Sequence, residues 1–553
     1  MDIKNLFKRK DKPDSDKKFI SEIYKLFDEY VSAYKAEWDR LDKNERLYIG
    51  DHWHDIPLND PNEPRPVTPI IQSTIENIKA DLMDNYPEAI ITPEQPEFTE
   101  IATVLREIIQ QNHDACDFKT EWNTLAHDLG VAGYLITETS YDTELNNGLG
   151  GARTRAVDPR GIMFDPLSVK DIQEGRGVFK FTPKPRKWME KQYPDAHFED
   201  DTLVDDSTRE DEYVKRDTAK QLILIEYWWR EYSQETGRFS VHMVKLAGRQ
   251  ILEDSRKTKP EGMYNHGRYP FVLRRLFPRR GSVLGLGYCD SFGNTQLYIN
   301  KMDQIVMKNA MMTSHNKLLV TGSSGFDVND LRDWSKEVHK GENLNGVTWF
   351  SAPPLPPYIL NYIADMRNSI KEESGTNDFS RGTAGGGVTA ASAIAALQEA
   401  SSKRSRMAAA VMKEAYKETV RLEIEVEREY NALPRQVYYT ENGEEKSATF
   451  RKELRFYTTE LGNELPVEFM ISIKVQKENQ WTIVAHNELI LQMVQLGVIQ
   501  PAQAVELMIF EGKEDVLKKT AEGQQIPPEL MAQQQMAQEL QQIPTPDTIG
   551  GGV

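Results

Sequence analysis

From Ala391 to Tyr430 the chain contains neither proline nor glycine, and roughly forty such residues make one helix some 60 Å long at about 1.5 Å per residue. A helix of that length outruns an ordinary domain, so the remaining elements have to be arranged around it. It follows GTNDFSRGTAGGGVTA, where Gly375, Gly382, Gly385, Gly386 and Gly387 give a backbone of low rigidity. Upstream, Tyr358–Glu373 carries Ile359, Ile363, Met366 and Ile370 at steps of four, three and four, which predicts another helix. The prolines of SAPPLPPY separate that helix from a compact insert. In the insert KLLVT (Lys317–Thr321) and VTWF (Val347–Phe350) read as strands. Asp327–His339 reads as a helix with Asp327 as N-cap and Leu331, Trp334 and Val338 at helical spacing. A helix over Ser291–Ser314 leads in, with Tyr298, Met302 and Ile305 on one face and Lys301 and Lys308 on another. Two helices therefore flank a small β-α-β unit.

The first half reads as mixed α+β. Ile20, Ile23, Leu26, Phe27, Tyr30, Val31 and Tyr34 predict a long amphipathic helix from Phe19 to about Tyr48, ended by the four prolines of DIPLNDPNEPRP. Helices are expected over Thr68–Asn85, Glu97–Asn112 and Lys119–Leu129, with YPEAIITPEQPEF as a bend between the first two. Strands are expected at Tyr134–Tyr141, Leu222–Tyr227 and FVLRRLF. After Pro434 the chain returns to strand-like sequence, with an Asn-Gly hairpin turn at Asn442–Gly443 and a strand at VEFMISIKV. Beyond Lys477 it reads as helical, with stops at Gly497, Pro501 and Gly512 and a Gln-rich tail.

Composition excludes several classes. Two widely separated cysteines, Cys116 and Cys289, cannot make a disulfide framework or a four-cysteine zinc site, and suit a reducing compartment. With 68 Lys+Arg against 86 Asp+Glu, a net charge of −18 argues against a protein that coats nucleic acid through a basic surface. MDIKNLFKRKDKPDSDKKF has no apolar signal core and no stretch approaches a membrane span, so neither export nor insertion is expected.

No catalytic constellation is readable. The glycines at 382–387 lack the Gly-Lys-Ser/Thr of a Walker site, and GSVLGLG at 281–287 is not GxGxxG and reads as a turn and hinge. His52-Trp53-His54 lacks a third ligand at a recognisable spacing and reads as loop histidines. Glu423, Glu425, Glu427 and Glu429 read as a solvated helix end. No enzyme activity, cofactor or metal is expected.

The order helix, insert, helix, glycine loop, long helix, β return and helical tail resembles the portal protein of tailed double-stranded-DNA bacteriophages, the head-to-tail connector, of the podovirus-like type. The resemblance is carried by EESGTNDFSRGTAGGGVTAASAIAALQEASSKRSR at 372–406, RPVTPIIQSTIENIKADL at 65–82 and PFVLRRLFPRRGSVLGLGYCDS at 270–291. It implies a multidomain α+β portal fold assembled as a dodecameric ring at one capsid vertex, the channel for genome packaging and ejection. It further implies a flexible N-terminal arm (1–18), a mixed wing (19–284), a two-helix stem (285–314 and 357–374) and a small α/β clip (315–356). A tunnel loop (375–390), a spine helix (391–430), a wing β return (431–478) and a helical crown with its tail (479–553) complete it.

The implied tunnel-loop residues are Asn377, Arg381, Gly382, Gly385, Gly386 and Gly387, and the implied channel cations are Lys301, Lys308 and Arg381. Phe326, Asp327, Asp330, Trp334 and Lys336 would meet partners at the clip. Those partners are further copies of the chain, double-stranded DNA in transit, the major capsid protein, terminase and tail adaptor proteins, in a virion assembled in the host cytoplasm. An acidic chain suits that role, because each neutralised phosphate adds affinity and hence drag on a moving duplex. Two other classes share the composition: another acidic virion ring or scaffold protein, and a metal-dependent nuclease built on scattered carboxylates.

Overall fold

A computed structural model describes residues 14–508, 510 and 513, apart from 58–62, 85, 94–97, 199–220, 235–236, 248–249, 315–316, 334, 351–352, 354, 375–402, 431–434, 442–443, 451–455, 459–463, 467–468 and 476–479. The chain opens with α1 (Asp14–Ile49), α2 (Ile70–Asp84), β1 (Pro87–Pro93), α3 (Thr99–Ala115) and α4 (Phe118–Val131). Eight strands follow: β2 (Tyr134–Asp142), β3 (Gly151–Ala156), β4 (Ile162–Phe164), β5 (Val178–Pro185), β6 (Gln221–Ser233), β7 (Arg238–Ala247), β8 (Gln250–Asp254) and β9 (Phe271–Arg275). The short β10 (Phe277–Pro278) and β11 (Gly285–Leu286) precede α5 (Tyr288–Ser314), β12 (Lys317–Val320), β13 (Val347–Phe350) and α6 (Pro357–Ser374). Then come α7 (Lys403–Tyr430), β14 (Arg435–Glu441), β15 (Glu444–Phe450), β16 (Phe456–Thr458), β17 (Glu464–Pro466), β18 (Phe469–Val475), α8 (Gln480–Gln495) and α9 (Pro501–Leu507). The class is α+β with small antiparallel sheets, and the chain divides into two compact units, 1–83 with 109–432 and 84–108 with 433–553.

In the first unit, β4-β5-β6-β7-β8 form an antiparallel sheet whose aromatic face meets α1. Phe27 and Tyr30 stand edge-on to Phe179 at 5.3 and 5.1 Å, and Trp38 to Phe181 at 5.9 Å, so the apolar stripe read from the sequence is the face that is buried. At the same seam the Phe164 amide donates to the Tyr34 hydroxyl at 2.9 Å. A second sheet, β3-β2-β9, carries α7 on one face, with the Thr137 and Thr419 hydroxyls 3.0 Å apart and Arg274 paired with Glu418.

The 281–287 turn is locked rather than hinged. Gly133 has φ +87°, and a Cβ there would lie 2.1 Å from the Leu286 backbone. Arg40 donates to the carbonyls of Ala132 (2.9 Å) and Gly285 (3.4 Å) and pairs with Asp290, whose carboxylate also accepts from the Gly287 amide at 2.7 Å. Chain crossing this close requires glycine, which corrects the expectation of a hinge.

In the second unit β1 pairs antiparallel with β18, Ile91 opposite Ile471. The segment read as a bend is therefore a strand, because pairing to a distant partner offsets the poor strand propensity of its flanking prolines. β14 and β15 pair with Glu441 opposite Glu444, the register that a two-residue turn imposes, while Asn442–Gly443 lie outside the described residues. Gly497, at φ +72°, ends the α8 segment, and Pro501 opens α9. Ile490, Ala504 and Met508 form the core between these two helices.

Candidate functional site

The two helices and the insert between them are built as the sequence indicates, with one correction. β12 and β13 pair antiparallel, Leu318 opposite Trp349, and a short α-helix, Val328–Arg332, and a 3-10 turn, Leu344–Gly346, lie between them. The Asp327 carboxylate accepts from the Asn329 amide at 3.0 Å, so the N-cap is as expected. The helix expected to run to His339 stops at Arg332 because Asp333 turns the chain, accepting from the amide and hydroxyl of Ser335 at 3.1 and 2.5 Å. Asp330 is bonded to Lys336 and lies 3.4 Å from His339, and the Lys336 ammonium first, then His339, holds its carboxyl below the usual carboxylate range. The ring of Phe326 covers Gly341 so closely that a Cβ there would stand 2.2 Å from it. Of the five insert residues singled out, Asp327, Asp330 and Lys336 thus hold the local turn and Phe326 packs beneath it, whereas Trp334 lies outside the described residues.

α5 and α6 are tied by Arg367, which donates to both oxygens of Asp303 at 3.0 and 2.7 Å, and the Asn309 side-chain amide of α5 donates to the Pro353 carbonyl, ahead of α6, at 3.1 Å. The base of α5 is fixed by buried polar groups: the Gln296 amide donates to the Thr68 carbonyl at 2.7 Å and Asn300 to His52 Nδ1 at 2.6 Å. His52 Nε2 donates to the Leu47 carbonyl, so this histidine is a buried strut, and the two-histidine motif needs no metal. Lys301 is exposed and lies 5.8 Å from the Tyr298 ring; Lys308 is exposed and pairs with Glu63 at 3.3 Å. The structure brings these two lysines onto one exposed side of α5. Asn377, Arg381, Gly382, Gly385, Gly386 and Gly387 lie outside the described residues, as does 391–402 of the long helix.

Downstream, α7 departs from expectation in its charge run. Glu423 and Glu427 are 1% and 0% exposed, so this is not a solvated end. Glu423 accepts from His113 Nε2 at 2.9 and 3.0 Å and from the Thr154 hydroxyl at 2.6 Å, and Glu427 accepts from the Ala152 amide and the Asn112 side chain, both at 2.6 Å. A spacing of four puts both carboxylates on the face that meets β3, while Glu425 pairs with Arg428 at 2.8 Å and Glu429 accepts from the Asn265 amide at 2.9 Å. Residues at 423 and 427, with Arg40 and Asp290, are the anchoring groups that sequence reasoning missed. Their signal was polar residues at helical spacing among Val420, Leu422, Ile424 and Val426.

Among the described residues no group of His, Cys, Asp or Glu is placed to hold a metal ion, and no helix is long and apolar enough to cross a membrane. A search of curated proteins gave no match. The family model for the phage P22-like portal protein matches residues 24–275 and 328–548, most of the chain, passing over 276–327, which holds the locked turn, α5 and β12. Two tied helices around an insert, a long helix anchored on a sheet and a match of that extent lead to one conclusion: the chain belongs to the phage P22-like portal proteins, structural and non-enzymatic virion components that form an oligomeric ring for the passage of DNA in genome packaging.

Proposed function

We propose that twelve copies form the ring, placed at one capsid vertex, and that the regions of the chain divide the work. Residues 19–284 with 431–478 form the wing, α5 and α6 the stem around the channel, and 315–356 the clip. The 375–390 loop is the constriction, α7 with 391–402 the spine, and 479–553 the crown. The observation that carries this reading is the α5–α6 pair, two tied helices with the insert between their ends. The insert, with Phe326, Asp327, Asp330, Trp334 and Lys336, is the surface offered to terminase and later to tail adaptors. The wing meets the major capsid protein.

DNA passes without sequence recognition, through contacts with Lys301, Lys308 and Arg381. In a ring each becomes a circle of cations, set against a chain whose net charge is −18. Asn377 and the glycines at 382 and 385–387 let the loop shift around the duplex, since glycine has no side chain to clash.

Negative-stain electron microscopy with native mass spectrometry tests the ring: annular particles of about twelve copies are expected, and a monomer would overturn the reading. For the loop, alanines at Gly385, Gly386 and Gly387 are expected to reduce packaged DNA at least about tenfold while rings still assemble; unchanged packaging would remove the loop from the mechanism.

A further inference from the structure

Between Tyr298 and Met312, α5 shows solvent two apolar patches, Met307 (45% exposed) and Met311 (43%) on one side and a longer stripe on another. Tyr298 (59% exposed), Ile305 (47%) and Met312 (49%) recur every seven residues, and Lys301 and Lys308 flank them, both exposed. Seven residues are two helical turns, so the three apolar side chains line up as a seam of the kind a neighbouring helix covers. α6 shows a second stripe, Tyr358 (69%) and Tyr362 (52%), continued by exposed Asp365 and Glu372. The first stripe carries cations, of which Lys308 also meets Glu63 of its own copy at 3.3 Å, whereas the second carries carboxylates. Their heights also correspond. The Asp303–Arg367 pair joins the two helices, which run antiparallel, and places Met312 level with Tyr358, and Asp365 level with the middle of the Lys301–Lys308 interval. Rotation about a ring axis keeps height unchanged, so groups level within a copy running along that axis are level between neighbours.

We infer that the Tyr298–Ile305–Met312 face of α5 is covered by the Tyr358–Tyr362 face of α6 from a second copy of this chain, with Lys301 and Lys308 beside the neighbour's Asp365 and Glu372. This rests on the ring reading and adds the contact faces to it. The contact is heterologous, one face on each flank, and so repeats around a closed ring. It also moderates the lysines: a cation bordered by a carboxylate offers a passing phosphate a shallow attraction, which suits a wall that must not hold DNA.

The test is the full chain with Met312→Cys and Tyr358→Cys together, oxidised and run on non-reducing gels. A ladder of covalent multimers is expected, and neither single variant should give it. The native thiols do not compete, since Cys289 is buried and burial pushes the half-buried Cys116 up to about 11. As a second arm, Lys301→Glu is expected to cut the ring fraction at least about fivefold and Asp365→Lys, added to it, to restore most of it. Rings that form without cross-links and ignore the charge exchange overturn these faces and leave the ring standing. Failure of the unsubstituted chain to form rings overturns the ring reading itself, and the contact with it.

Discussion

Gly133→Ala is expected to leave the protein largely insoluble, at a loss of about 4 kcal/mol or more, the upper end of what single substitutions cost. Two effects add. A left-handed backbone, here φ +87°, costs a non-glycine residue about 1–2 kcal/mol. The added methyl would then stand 2.1 Å from the carbonyl carbon of Leu286 and 2.3 Å from the amide of Gly287, which are backbone and cannot swing aside. Nor can that strand shift as a body, because Arg40 and Asp290 hold it at Gly285 and Gly287. Gly281→Ala is the control: its φ is +77°, but nothing lies within 4 Å, so only about 1 kcal/mol should be lost. Soluble yield and thermal unfolding of the two variants decide it, and a Gly133→Ala protein that melts with the parent would refute the account of the crossing.

Glu423→Ala is expected to cost about 3–5 kcal/mol, the range seen when one member of a buried pair is removed. His113 is 3% exposed and Thr154 0%, so neither can turn to water once the carboxylate is gone. Glu423→Gln keeps one acceptor oxygen and should lose less than half as much. The effect should appear as loosening of α7 from β2 and β3, read by hydrogen exchange across 403–430, with the β1–β18 sheet unaffected. Equal protection of α7 in parent and alanine variant would show that the buried carboxylate does not anchor it.

Local rules made much of the fold legible. The spacing of Ile20 to Tyr34 marked the face of α1 that meets Phe179, and Asn442–Gly443 marked the β14–β15 register. The helix pair around the insert, on which the functional reading rests, followed from proline positions and from Ile359 to Ile370. What was not legible depends on groups far apart in sequence. No periodicity within YPEAIITP announces a partner at 469–475, and no neighbour of Lys308 announces Glu63. The glutamates of α7 illustrate the same limit: at every second position they look like a solvated run, yet helical geometry sorts them into 423 with 427 and 425 with 429, and of the four it is 423 and 427 that are buried, against His113 and the Ala152 amide. Asp333 ended the insert helix through a side-chain turn that helical spacing alone does not register.

The pairing of β1 with β18 bears on the timing of synthesis. Ile91 faces Ile471, so a ribosome adding about 5–20 residues per second needs roughly 20–80 s after making the first strand before its partner exists. During that interval Ala89, Ile90 and Ile91 carry unpaired edges, the sort of segment that associates with the wrong strand. Prolines at 87 and 93 bracket it and shorten the stretch that another chain could extend. Nascent copies made side by side, as a protein needed in many copies would be, are then less prone to join through this strand before each has closed its own sheet.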